Sequence, residues 1–241
     1  MLLCREHFQE DVQRKVREYL RQTGLFGRSR RILIELDGGR NSSALACILK
    51  NTFQRRRDID IQAAFIYDGE EDFQHIRDAS SVAERLDIPL HLEKMPHATD
   101  HKSSLASSSA RKREALFCAA LEKDADIIAT GEDLDEEALG IFLGYLRGEG
   151  RKSSDIAVGR GMYWIRPLRR IPQREVRLYA LILGLGSDTA WKAGPDRLQE
   201  EAGRLLSEFD SRHPGTNYSL LRGWERHPQV RMARAGGKAF K

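Results

Sequence analysis

Arg31-Ile-Leu-Ile-Glu-Leu36, running straight into Asp37-Gly-Gly-Arg-Asn-Ser-Ser43, is the stretch on which the fold turns. Its branched apolar residues read as a strand buried on both faces. The glycine pair Gly38-Gly39 ends that strand, because glycine lets the backbone turn sharply and approach another group closely. Ser42 to Lys50 then reads as a helix. Strand, glycine turn and helix in this order aim the amides of the loop and of the first helical turn at one place, which favours an anion. Ser42 and Ser43 can add hydroxyl donors. Plain turn chemistry accounts for such a glycine pair about as well, and the loop has neither the lysine of a Walker-type phosphate loop nor a GxGxxG pattern.

Outward from this unit, Ile59 to Tyr67, Leu90 to Lys94 and Asp126 to Thr130 read as further strands, and Phe73 to Leu86 and Ala110 to Lys123 as helices. Strands alternating with helices at this spacing give parallel βαβ units in a doubly wound α/β sheet of four or five strands. Before it, Phe8, Val12, Val16 and Leu20 recur every four residues and predict an amphipathic helix over 5 to 21. After residue 150 the order is less regular: Met162 to Arg166 is strand-like, and Gln173 to Leu183 and Arg197 to Asp210 are helical. The chain divides accordingly into a helical N-terminal arm (1–28), the α/β domain (29–186) and a helical C-terminal extension (187–241), with serine-rich 103–109 as a surface loop.

A chain of 241 residues with 40% hydrophobic content can bury a real core. Its apolar runs are far shorter than the roughly 20 residues that span a bilayer, and the N-terminus lacks the apolar stretch of a secretion signal, so a cytoplasmic protein is expected. Cys4, Cys47 and Cys118 are too few for a disulfide framework or a four-thiolate metal site. Cys47 and Cys118 read as core thiols, and His97 and His101 as surface side chains. The net charge of +4 conceals three basic blocks, residues 1–31, 151–180 and 197–241. Any one of them could be a solvated face, but three together suit a polyanionic partner.

Asp37 to Ser43 resembles the SGGxDS signature of the PP-loop (adenine nucleotide alpha-hydrolase-like) superfamily, written here DGGRNS. Four later stretches resemble the tRNA 2-thiolation branch of that superfamily and occur in its order. They are Ile66-Tyr-Asp-Gly69; Ala129-Thr-Gly-Glu-Asp-Leu-Asp-Glu-Glu-Ala138, similar to ATGHNLDDEA; Ile165-Arg-Pro-Leu168 before a helix; and His213-Pro-Gly-Thr-Asn-Tyr-Ser-Leu-Leu-Arg222. The resemblance implies a Rossmann-like HUP fold that binds ATP with Mg²⁺. Gly38, Gly39, Arg40, Asn41, Ser42 and Ser43 would hold the pyrophosphate, Ile66 would lie at the adenine edge and Gly131 close to the nucleotide, and Asp135 would be the magnesium-side carboxylate. It also implies tRNA as partner, with Lys112, Arg113, Arg147, Arg151, Lys152, Arg166, Arg169, Arg170, Arg174 and Arg177 forming a basic face for the phosphate backbone.

Departures from the branch matter as much. Asp37 and Asn41 stand where the motif has Ser and Asp, so a carboxylate flanks the anion pocket and the loop loses its own acid, which weakens triphosphate binding unless magnesium or a nearby Arg offsets it. The cysteine relay of the branch would fall on Leu105 and Ser108 and near Thr189, and none is cysteine. Cys4 and His7 resemble half of an N-terminal zinc ribbon whose other half is missing. The isolated chain is therefore expected to carry no iron–sulfur cluster and no zinc. Two functions follow: a degenerate nucleotide- and tRNA-binding paralogue that works beside an active partner or a sulfur carrier, with a homodimer as an option; or an active enzyme that adenylates a tRNA base carbonyl and takes sulfur from a partner or free sulfide.

Overall fold

Rich in branched apolar residues and paired along both edges, β1 (Arg30–Glu35) is the middle of a parallel sheet. The computed structural model describes residues 4–69, 73–95, 108–148, 161–187 and 197–226. With β2 (Ile59–Tyr67), β3 (Leu90–Lys94), β4 (Ile127–Ala129) and β5 (Tyr163–Ile165), the strand order is β3-β2-β1-β4-β5 and every pair is parallel. Ile34 is matched with Ala63 on one side and Ala129 on the other. The chain winds outward from β1 through β2 and β3, then returns to β1 and winds the other way through β4 and β5. The loops leaving β1 and β4 therefore part at the carboxyl edge, which is the switch point where doubly wound sheets take ligands.

Side-chain alternation splits the core in two. On one face Ile32, Ile34 and Leu36 meet buried residues of α1 (Arg5–Thr23), α2 (Arg40–Phe53), α3 (Phe73–Leu86) and α6 (Gln173–Leu183), among them Val12, Leu45, Ala79 and Val176. On the other, Leu33, Ala64, Ile128 and Trp164 pack against Ala115, Leu116 and Ala119 of α4 (Ser108–Glu122). α5 (Leu134–Leu146) starts at the switch point and packs with α7 (Arg197–Arg212) and α8 (Thr216–Arg226), where Leu134, Ile141 and Leu221 form a small third cluster. No helix among the described residues is long and apolar enough to cross a membrane.

The expected α/β doubly wound architecture is the observed one, and β2, α3, β3 and α6 have the expected bounds. The sheet has five strands, and two helices, α5 and α8, stand beyond those read from periodicity. Cys47 is buried as expected, whereas Cys118 is exposed on α4, a correction to its reading as a core thiol.

Candidate functional site

The loop leaving β1 is shaped by glycine. Gly38 has φ +78°, and a Cβ on it would lie 2.8 Å from the His75 carbonyl oxygen and 2.9 Å from Asp78 Cβ, so α3 leaves no room for a side chain. Gly39 takes the N-cap position of α2 with no side-chain cap. Amides at a helix start have no acceptor within the helix and need one from elsewhere. Asp37 fills part of that role: its Oδ1 accepts from the Gly39 amide at 3.0 Å and from the Ser42 hydroxyl. Two donors expected to face an anion already carry an internal carboxylate. Ser43, fully buried, has a hydroxyl with no hydrogen-bond partner.

The loop leaving β4 forms the opposite wall. Gly131 lies directly on the start of α2, where a Cβ would come within 3.1 Å of Asn41 C and Ser42 N. Asp133, fully buried, caps α5: its Oδ1 accepts from the Asp135 and Glu136 amides, each at 3.0 Å, and Glu136 reaches back to the Asp133 amide. Its Oδ2 accepts from Asn41 Nδ2 at 2.9 Å, joining the two walls. Burial, reinforced by the Glu136 and Asp135 charges, pushes the Asp133 acid up to about 7, against the pull of the amides and of Asn41.

A third segment straps the first. Ser187 N–H donates to the Gly38 carbonyl at 2.9 Å, making a parallel bridge between Gly39 and Ser187. Gly186 fits because it lacks a side chain, since a Cβ there would lie 2.7 Å from both the Gly39 oxygen and Ser43 Oγ.

Charge gathers under these loops. Lys112, from α4, pairs with Glu35 at 2.5 Å. Burial works against the Lys112 cation, but the charges of Glu35, Asp37 and Glu132 outweigh it and raise its pKa. Burial raises the Glu35 acid, with Lys112 opposing. Arg166 is buried and pairs with Glu137 at 3.2 Å and Glu132 at 3.4 Å, and Arg169, also buried, pairs with Glu137 at 3.1 Å.

Gly38, Gly39, Arg40, Asn41, Ser42, Ser43 and Gly131 come together at the switch point. Ile66 is the penultimate residue of β2, with its side chain in the second core cluster. Asp135 accepts from the Gln173 amide at 2.7 Å and from Asn217 Nδ2 at 3.2 Å, tying α5 to α6 and α8. The acid that meets the loop is Asp133. Of the basic residues, Lys112 and Arg113 stand on α4, Arg113 over the Trp164 ring at 4.6 Å. Arg174 and Arg177 are exposed on α6, across the sheet, and Arg147 is exposed at the end of α5. Arg170 binds both oxygens of Glu225 at 3.1 Å. Arg151, Lys152, Leu105, Thr189, His97 and His101 lie outside the described residues, and Ser108 opens α4. Sequence reasoning passed over Asp133 and the strap. The available signal for Asp133 was that residues 41 and 133 leave their motifs together.

A PP-loop domain model matches residues 8–186. The chain is 27% identical to the tRNA 2-thiolation protein NcsA of Haloferax volcanii, covering 92% of this chain and 80% of that protein. It is 25% identical to the tRNA-5-methyluridine(54) 2-sulfurtransferase of Pyrococcus horikoshii, over 93% and 76%. Among solved structures, the U34-tRNA thiolase NcsA from Methanococcus maripaludis superposes with a TM-score of 0.81 at 22% identity, over 92% of this chain and 80% of that one. That thiolase was solved with its [4Fe-4S] cluster, which corrects the cofactor expectation above: a protein of this fold and branch does carry an iron–sulfur cluster. That expectation follows from the thiol count, three cysteines in all. In this chain Cys4, at the start of α1, Cys47 within α2 and Cys118 on α4 stand apart. Among the described residues no three His, Cys, Asp or Glu side chains group so as to hold a metal. Among the described residues these groups do not by themselves fit an iron–sulfur cluster.

Proposed function

The chain belongs to the PP-loop family, and from that premise we propose that it is a nucleotide- and tRNA-binding protein of the 2-thiolation branch, working in the cytoplasm beside a partner that supplies the sulfur chemistry. The observation that carries this reading is Asp37, whose carboxylate already sits on the Gly39 amide and the Ser42 hydroxyl. An arriving phosphate must displace one anion from its donors and remain close to it, so magnesium or Lys112 has to offset the repulsion. Adenine nucleotide with Mg²⁺ is the ligand that the two-walled loop suits, and tRNA is the partner suggested by the relatives' names.

Titration calorimetry with Mg-ATP tests it. Asp37→Ser frees the two donors and is expected to tighten binding about tenfold, the worth of one charge-assisted hydrogen bond. Equal affinities for the two proteins reject the masking role of Asp37.

One observation favours a second reading, in which the chain is itself an adenylating enzyme: Gly38, Gly131 and Gly186 are packed so tightly that the loop keeps a defined shape. The base carbonyl oxygen would then attack the α-phosphorus with release of pyrophosphate, and sulfide would displace AMP to leave the thiocarbonyl. Release of AMP that requires both tRNA and sulfide would establish this over the first reading.

A further inference from the structure

Two departures from the family motifs occur at once and touch. The loop signature SGGxDS places Asp where this chain has Asn41, and ATGHNLDDEA places Asn where it has Asp133. The positions are 92 residues apart in sequence, yet Asn41 Nδ2 donates to Asp133 Oδ2 at 2.9 Å. Either departure alone would set two acids or two amides face to face. Both together preserve one acid, one amide and one hydrogen bond across the gap.

We propose that Asn41 and Asp133 are the family's loop acid and its amide partner with places exchanged, so that the negative charge accompanying a metal-bound nucleotide comes from the start of α5 instead of from the loop. This rests on the nucleotide reading above and deepens it by naming the pair that positions the two walls. The two walls are in contact beside the pair, since a Cβ on Gly131 would come within 3.1 Å of Asn41 C and Ser42 N, so no larger side chain or bridging group fits between them there. The acid is also fixed in aim: Asp133 Oδ1 is taken by two amides of α5, leaving Oδ2 to face Asn41. The loop thus has not lost its acid. It has acquired it from the other wall.

The exchange predicts that one substitution changes sign with its background. In the otherwise natural chain, Asn41→Asp sets two carboxylates against each other and should weaken Mg-ATP binding and lower the urea midpoint. With Asp133→Asn already present, the same Asn41→Asp restores an acid–amide pair and should strengthen binding and raise the midpoint. Coupling of contacting residues makes the swing at least about twofold in affinity. The four full-length proteins (natural, N41D, D133N and N41D/D133N) are compared by calorimetry with Mg-ATP and by urea unfolding. Sign reversal in both measurements supports the exchange. Additive effects in a natural chain that binds Mg-ATP overturn it while leaving the nucleotide reading standing. If none of the four binds Mg-ATP, the nucleotide reading fails and takes the pair's proposed charge role with it, whatever the midpoints show.

Discussion

Replacing Glu137 by Ala should be among the most damaging single changes in the chain. Glu137 is 1% exposed and takes Arg166 on one oxygen and Arg169 on the other, with both arginines 3% exposed. Removing one partner of a buried ion pair typically costs about 3–5 kcal/mol, because an uncompensated charge stays in a poorly hydrated place. Here two cations lose a partner, while Arg166 keeps the more exposed Glu132, so about 3–4 kcal/mol is expected. For a chain of this length that corresponds to a Tm lower by roughly 6–16 °C. Glu137→Gln, which keeps hydrogen-bond acceptance at one atom, should fall between, and the triple change Arg166→Met, Glu137→Leu, Arg169→Met should recover most of the loss, since a well-packed apolar replacement removes the desolvation cost together with the attraction. Differential scanning calorimetry with urea unfolding measures all three. A loss below about 1 kcal/mol for Glu137→Ala would refute the claim that these charges are buried and interdependent.

The other predictions concern the loops and the surface. Gly38→Ala must hold a left-handed φ and press on the α3 backbone, costing about 2 kcal/mol or more, whereas Gly24→Ala, with φ +68° and open space around it, should cost about 1 kcal/mol; equal urea shifts would discount the contact with His75. Because the Asp133 acid is held up to about 7, the folded chain keeps a proton there that the unfolded chain releases near 4, so stability contributed by this group is present below about pH 4 and is lost as pH rises towards 7. Relative to Asp133→Asn, the natural chain should therefore lose on the order of 4 kcal/mol across that window, and unfolding curves with parallel pH dependence would exclude the raised acid. Arg174 and Arg177 stay exposed on α6, so reversing both to Glu should weaken tRNA binding and reduce its salt slope by roughly 0.7–0.9 per contact, while salt-independent binding by the natural chain would rule out a phosphate contact there.

Much of the fold was legible because the apolar residues announce their own period. Ile59 to Tyr67 and Phe73 to Leu86 carry strand and helix patterns that tertiary contacts only reinforce, and they appear with the expected bounds. α5 carried no such pattern: Leu134-Asp-Glu-Glu-Ala-Leu-Gly-Ile-Phe-Leu-Gly-Tyr-Leu146 is acidic at its start and then apolar on nearly every side, because α7 and α8 cover it where other helices meet water. The glycine loop was legible because its conformation needs glycine. The buried arginines were not, since Arg166 and Arg169 read as surface charge in any count of basic residues, and their partner Glu137 lies in a different element about 30 residues upstream. The Asn41 to Asp133 hydrogen bond was hidden for a related reason: each residue alone reads as a degraded motif, and only contact makes them a pair.

The strap at Gly186 and Ser187 bears on the order in which the protein can mature. Gly38 leaves the ribosome early, with β1, and among the described residues its carbonyl takes its backbone hydrogen-bond donor from Ser187, which is made after all five strands. A nascent chain stalled before residue 187 can pair β1 with β2 and β3 and bury much of the main core, but its glycine loop remains unfastened. Completion of the loop is therefore a late event in synthesis, and a truncated product that resembles the folded protein by helix content would still present an unfinished pocket.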